Sequence, residues 1–423
     1  MKTVVLDDDP TGTQSASGVT VVLQLDPVLL EAALRNAESV YVLTNSRAIN
    51  EEAARALVTR VRDLSLEIGA RLGESVQFVL RGDSTLRGHV FAESEVFLDD
   101  DAVLLFVPAF PDGGRVTIGG VHYVTVDGRR VPASETEFAA DPVFPFGTSV
   151  LVDYVAEKSG RAAVGLGLAA LRSGGLVPLL VGARSGSVVV PDVEDDDDIR
   201  SIARAVAEAR GAGRTIVVRS ASPLAAALAG VASAGLLATP LLEAPVPTLV
   251  VCGSHTAAAT AQLGEIAVRH RGAVLVPTAA ALDDPARAGA EAGRTAADRL
   301  ASDGVAVISS ERVRADEHNT LAHGGRVMAA LTTAAEAALP SAGVVVVKGG
   351  ITSADVARVG LGMTTAVVLG QVLPGVSVWR GTVRDGRQLL YVVVPGNVGG
   401  PDTLSRVLDA LAVPPTPVDS RAV

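Results

Sequence analysis

The sequence predicts an α/β protein: two α/β domains with mostly parallel sheets and a ligand cleft between them. Three observations carry that prediction. Short β-branched runs recur along the 423 residues, and Ala-rich stretches of helical period separate them. Hydrophobic residues make up 48% of the chain and aromatics only 3%, so the core must be built from Ala, Val and Leu. Near the middle, ATPLLEAPVPT places three prolines within eight residues and a fresh strand pattern follows at once, which marks a domain boundary.

In chain order, strands are expected at Thr3–Leu6, Ser39–Leu43, Val76–Leu80, Val103–Val107 and Thr215–Val218. The second half adds Thr248–Cys252, Val305–Ser309, Val344–Val347 and Leu389–Val393. Helical patterns such as EEAARALVTRVRDLSLEIGARL and DDIRSIARAVAEARGAG lie between them. The stretch Phe110–Ser149 is rich in Gly, Pro and aromatics and reads as an extended loop or hairpin over the cleft. Asp195–Asp198 reads as a helix N-terminus, where carboxylates meet the positive end of the helix dipole. GLGLAA, from Gly165, imitates a dinucleotide fingerprint but follows no convincing strand, and is set aside. The resulting domains are residues 1–240 and 246–412, with 413–423 as a frayed Pro-rich tail.

The formal net charge is −11 and no Lys/Arg-rich run occurs, which argues against nucleic acid or an anionic membrane as partner. Cys252 is the single cysteine, so no intrachain disulfide forms. With no signal-like leader and no apolar stretch of about 18 residues, the expectation is a cytoplasmic protein. A homodimer is the one protein partner considered.

The chemistry concentrates at strand ends. VVLDDDPTGTQ puts Asp7, Asp8 and Asp9 directly after the first strand. Ligands of parallel sheets bind beyond the carboxyl ends of strands. TNSRA brings Ser46 and Arg47 to the end of a second strand. RGDSTLRGH brings Arg81, Asp83, Ser84, Thr85, Arg87, Gly88 and His89 to the end of a third. In a parallel sheet the three stretches converge on one edge. Arginine forks match carboxylate oxygens two-fold, and carboxylates accept hydrogen bonds from vicinal hydroxyls. The set suits a small carboxylated polyol.

Two other readings of the opening stand beside this one. Asp7, Asp9 and Thr11 spell the D-x-D-x-T of magnesium-dependent haloacid dehalogenase phosphatases, although the later acidic pair of those enzymes is missing. A capped strand-to-helix turn with solvated carboxylates is the plainest alternative. It usually needs one Asp rather than three.

These motifs resemble the four-carbon acid sugar kinase family. D-D-x-T-G stands at Asp8 to Gly12, D-S-T-L-R-G at Asp83 to Gly88, and P-A-F-P-x-x-G-R at Pro108 to Arg115. GGVHYV and ETEFAADP extend the similarity. VVCGSHTAAATAQL, KGGITSADV and PGNVGG follow in the family's order. The resemblance implies an acid-sugar-binding domain followed by a nucleotide-binding domain, and phosphoryl transfer from ATP, with Mg2+, to a hydroxyl of a tetronate or 2-oxo-tetronate.

On that resemblance Asp8 and Asp9 are the catalytic candidates, one as proton acceptor and one as metal ligand. Asp7, Thr11, Gly12, Ser46, Arg47, Arg81, Asp83, Ser84, Thr85, Arg87, Gly88 and His89 would hold the sugar acid. Gly253, Ser254, Thr256, Lys348, Gly349, Gly350, Ile351, Thr352, Gly396, Asn397 and Gly399 would hold ATP. No Gly-Lys pair exists, so a Walker A loop is excluded and glycine-rich backbone must cradle the phosphates. Lys348 adds a point charge. Two departures stand out: Ile351 where relatives carry an acid, and Pro395 where many carry Lys. They leave room for a sugar-acid-binding protein without turnover.

Overall fold

The computed structural model describes residues 1–126, 128–313, 320–396 and 398–416. They divide into two compact units, Met1–Ala232 and Ser233–Val423. No helix among the described residues is long and apolar enough to cross a membrane.

In the first unit the strands are β1 (Lys2–Asp7), β2 (Val19–Val22), β3 (Ser39–Leu43), β4 (Val76–Arg81), β5 (Val103–Val107), β6 (Arg115–Ile118), β7 (Val121–Val126), β8 (Arg129–Pro132), β9 (Ala163–Leu166), β10 (Val188–Pro191) and β11 (Ile216–Ser220). The main sheet runs β2-β3-β1-β4-β11-β5-β10-β9. Its recorded pairs are parallel; Asp7 lies opposite Leu43 of β3 and Arg81 of β4, and Ser220 lies opposite Arg81. Every residue of β1, β3 and β5 is buried, as expected of a parallel sheet covered on both faces. The helix Glu51–Leu72 covers one face: Asn50 accepts the Ala53 N–H at its start, and Gly73, at φ +70°, ends it.

The stretch expected as a loop or hairpin instead forms a three-stranded antiparallel sheet, β6-β7-β8, with a turn-rich segment after it. Its short alternating strands lack the long apolar run that marks a covered strand. β9 runs through Gly165, so a strand does accompany GLGLAA. Asp195 caps the helix Asp196–Gly211 in a capping box with Asp198, in line with the expected role of that acidic run.

The second unit contains β12 (Thr248–Cys252), β13 (Val274–Val276), β14 (Val305–Ser310), β15 (Val344–Lys348), β16 (Thr365–Leu373), β17 (Val376–Thr382) and β18 (Gln388–Val394). Its order is β13-β14-β12-β15-β18-β17-β16. The strands β13 to β18 along that order are parallel, and β18-β17-β16 turns antiparallel.

Contacts divide the chain at Ala232, ahead of the prolines, because the following segment packs on the second unit. The Leu237 N–H donates to the Gln371 carbonyl and the Leu241 N–H to that of Ala410, both at 2.7 Å. The start of the tail is also held. Val413 is buried, the Thr416 N–H donates to Arg269 O at 3.0 Å, and the Thr416 hydroxyl meets His270 Nδ1 at 3.1 Å. Fraying is therefore not a property of 413–416; residues 417–423 lie outside the described set.

Candidate functional site

Parallel registry brings the ends of β1, β3 and β4 to one edge, and with them all the residues predicted for the sugar acid. Arg81 lies at the centre. Its Nη1 donates to Asp7 Oδ1 (3.1 Å), Asp8 Oδ1 (3.1 Å), Asp9 Oδ1 (3.0 Å) and the Asp9 carbonyl (3.2 Å). Its Nη2 reaches Thr11 Oγ1 at 3.0 Å. One guanidinium therefore answers the repulsion among three adjacent carboxylates that the sequence poses.

The three aspartates differ in what they have left to offer. Asp9 caps the 3-10 turn Pro10–Ser15, accepting the Thr11 N–H (2.7 Å) and the Thr11 hydroxyl, and its other oxygen pairs with Arg47. Asp7 is fully buried against Gly12, where a Cβ would collide with its carboxylate. Burial pushes Asp7 up to about 7 against the opposing pull of Arg81. Packed on Gly12 and held toward its protonated form, it is a poor nucleophile, so the phosphatase reading loses its first residue. Asp8 Oδ2 has no hydrogen-bond partner, but it lies 3.4 Å from Arg47 Nε and 3.7 Å from Arg219 Nη2.

The DSTLRG loop supplies the rim. Its Leu86, at φ +68°, is held in the left-handed region that side chains disfavour, a local strain typical of functional loops. Arg87 Nε donates to Asp83 Oδ2 at 2.8 Å, and the Thr85 hydroxyl donates to the same oxygen. Burial alone would raise the Asp83 carboxyl. Arg87, Arg47 and the Thr85 bond outweigh it and hold Asp83 well below the usual range. Arg87 also faces Asp141 Oδ2 at 3.5 Å and stands over the Phe138 ring, 5.0 Å from its centroid. Ser84 gives its carbonyl to His122 Nε2 at 2.9 Å. His89 meets the Ile49 carbonyl at 2.9 Å and the edge of Phe144. Gly88 lies alongside Asp8 and Arg47, and the Ser46 hydroxyl is buried without a hydrogen-bond partner.

The sequence reading missed Arg219, Glu93 and Asp141 as members. The signal for Arg219 was present: a charged residue closing an apolar strand, as Arg81 does. Asp141 lies within ETEFAADP, which the resemblance already marks, but its pairing with Arg87, like that of Glu93 with Arg219, is non-local and has no local signature.

In the second unit, the ends of β12, β15 and β18 bring Gly253, Ser254, Thr256, Gly349, Gly350, Ile351, Thr352 and Gly396 together. The packing is close: a Cβ on Gly396 would lie 2.8 Å from Ser254 Oγ, and Gly349, at φ +117°, holds a conformation that favours glycine. Thr256 caps the helix Ala257–Arg269 and donates its hydroxyl to the Gly396 carbonyl at 2.8 Å. Gly399, at φ +86°, packs on Thr403. Asn397 lies outside the described residues.

Lys348 is fully buried and donates to the carbonyls of Pro395 (2.6 Å) and Val398 (3.2 Å). It fastens the last glycine loop from beneath, and burial pushes its ammonium down to about 7. Arg312, unpredicted, donates to the Ser254 carbonyl and to Thr260 Oγ1 (3.0 Å) and places an outer positive charge beside that loop.

Among the described residues, no group of three or more His, Cys, Asp or Glu is placed to hold a metal. The space between Asp7, Asp8 and Asp9 is taken by Arg81, and the Ile351 side chain offers no oxygen. The donor set therefore does not fit a resident magnesium ion.

Comparison with known proteins agrees with this division. Residues 3–228 match the sugar-binding N-terminal domain family and residues 249–404 the nucleotide-binding C-terminal domain family. The chain is 30% identical over 314 residues to a D-erythronate kinase of Heliobacterium modesticaldum, covering 70% of this chain and 67% of that one. It is 34% identical over 239 residues to a D-threonate kinase of Bordetella bronchiseptica, covering 55% and 52% respectively. The fold matches a crystal structure of Haemophilus influenzae protein HI1011 with a TM-score of 0.61 at 18% identity, over 96% of this chain and all of the other. Both domain families, in this order, place the chain in the four-carbon acid sugar kinase family.

Proposed function

We propose that the protein transfers the γ-phosphoryl group of ATP to a hydroxyl of a four-carbon sugar acid of the erythronate or threonate type. The observation that carries this is the unequal exposure of the four arginines at the first site. Arg81 and Arg219 are 1% and 2% exposed at the side chain and each is already paired with buried carboxylates, whereas Arg47 and Arg87 are 10% and 20% exposed. The two reachable forks suit a small carboxylate, and the named relatives act on such acids.

In this reading Arg87 takes the substrate carboxylate in bidentate fashion. Asp8 accepts the proton of the attacking hydroxyl: like Asp7 it has an oxygen free of hydrogen bonds, but Asp7 is held toward its protonated form by burial. That hydroxyl oxygen bonds to the γ-phosphorus as the bond to the ADP oxygen breaks. Backbone N–H groups at Ser254, Gly350 and Gly396 cradle the phosphates. Magnesium enters as MgATP, the substrate, held by phosphates and water. Positioning and charge neutralisation supply most of the rate.

The test is ADP release from MgATP with a panel of four- and five-carbon sugar acids, with 31P NMR of the product. Turnover with a tetronate and a new phosphomonoester signal is expected. Binding of the acid without turnover would make the protein a sensor, and release of phosphate from a phosphorylated acid without ATP would make it a phosphatase.

A further inference from the structure

Behind Asp8 lies a second pair of buried charges. Arg219, on β11, is 1% exposed and Glu93, on the helix Val90–Ser94, is 2% exposed. Arg219 Nη1 donates to Glu93 Oε2, while its Nη2 has no hydrogen-bond partner and lies 3.7 Å from Asp8 Oδ2. The Asp8 oxygen is itself without a hydrogen bond. Two atoms without hydrogen bonds, one on each of two buried opposite charges, thus face each other across a gap slightly wider than a hydrogen bond. The backbone makes way for them: a Cβ on Gly82 would lie 2.6 Å from Arg219 Nη2.

An arginine is costly to bury, and Glu93 already neutralises it. Its second fork arm is left for Asp8. We infer that Arg219, held by Glu93, is a positioning residue for the transfer: it holds the Asp8 carboxylate aimed while the hydroxyl proton is taken. The inference rests on the reading of Asp8 as proton acceptor. The other charges around Asp8 are Arg81 on β4, Arg47 after β3, Asp83 in the DSTLRG loop, and Asp7 and Asp9 beside it. Arg81 is shared among three carboxylates and Arg47 pairs with Asp9 and Asp83 as well. Arg219 is shared between Glu93 and Asp8 alone among these.

The experiment combines a stability cycle with a pH profile on the full chain. Urea midpoints of the parent, Asp8→Asn, Arg219→Met and the double variant report whether the two residues are coupled, with no need for turnover. Arg219→Met is expected to cost less in the Asp8→Asn background; equal costs in both would overturn the contact. The kcat profile then reads the role. Arg219→Met is expected to lower kcat about 100-fold at neutral pH and to move the acid limb upward. Arg219→Lys should return the limb toward the parent's, and Glu93→Gln should move it downward by releasing Arg219 toward Asp8. An acid limb unmoved in all three variants would overturn the role, since a merely structural pair shifts stability without opposite shifts of the profile. A parent without turnover on any sugar acid would instead fell the proposed function, leaving the stability cycle to decide the contact.

Discussion

Asp8 and Asp9 are neighbours in sequence with different work. Asp9 is spent on Thr11, Arg81 and Arg47, so Asp9→Asn should lower the urea midpoint as well as activity. Asp8→Asn is expected to lower kcat at least 100-fold, out of proportion to its effect on that midpoint; a kcat near the parent's would remove Asp8 from the transfer. At Arg87 the sign of a second change is informative. Arg87→Ala should raise the KM for the sugar acid roughly ten- to hundredfold, from the loss of a charge-assisted contact of about 1.5–3 kcal/mol. Asp141→Asn should lower that KM, because Asp141 competes for the same fork. A raised KM there would mean that Asp141 binds substrate hydroxyls instead. Sequence alone placed Asp8, Asp9, Arg47, Arg81 and Arg87 at one edge. It could not rank them, because the ranking depends on which guanidinium faces which oxygen across three strands.

At the level of elements, strands with continuous apolar runs were legible: β3, β5 and β12 match the expected ranges residue for residue. β16 and β17 were not: β16 alternates between buried and more exposed residues, β17 (VSVWRGT) mixes polar residues and Gly into its run, and the two join through Pro374-Gly375 as an antiparallel hairpin. β2, β9 and β13 are only three or four residues long and carry little pattern. The helix Ala257–Arg269 shows how an element serves a site. Thr256 caps it and also ties it to Gly396, so Thr256→Ala should cost about 1 kcal/mol of stability and raise the KM for ATP. Thr256→Ser should preserve both, as measured by thermal unfolding and initial rates. Equal loss in the two variants would mean that the hydroxyl is not what matters.

For the whole molecule, buried titrating groups set the pH response of folding. Asp7 is raised to about 7 in the fold from an ordinary value near 3.8. The folded state therefore holds a proton that the unfolded state gives up between those values, and stability from this group falls as pH rises through that window. Asp7→Asn, neutral throughout, should flatten the decline of the urea midpoint between about pH 4 and pH 7. His122, pushed down to about 4 by burial, acts the other way: the unfolded state binds more protons between about 4 and 6.5, so its contribution rises with pH. The comparison that isolates Asp7 is variant against parent at each pH, and parallel curves would place its titration elsewhere.

The close approach of Arg219 to the Gly82 backbone also has a meaning for descent. A side chain at position 82 and the guanidinium at position 219 as it packs here would collide, so the two positions are expected to change together. A relative with alanine or anything larger at the place of Gly82 should carry a shorter residue at the place of Arg219 and should have lost the acid at the place of Glu93. Three positions far apart in the chain would then vary as one character, and an alignment of the family, read at those three columns alone, would show it.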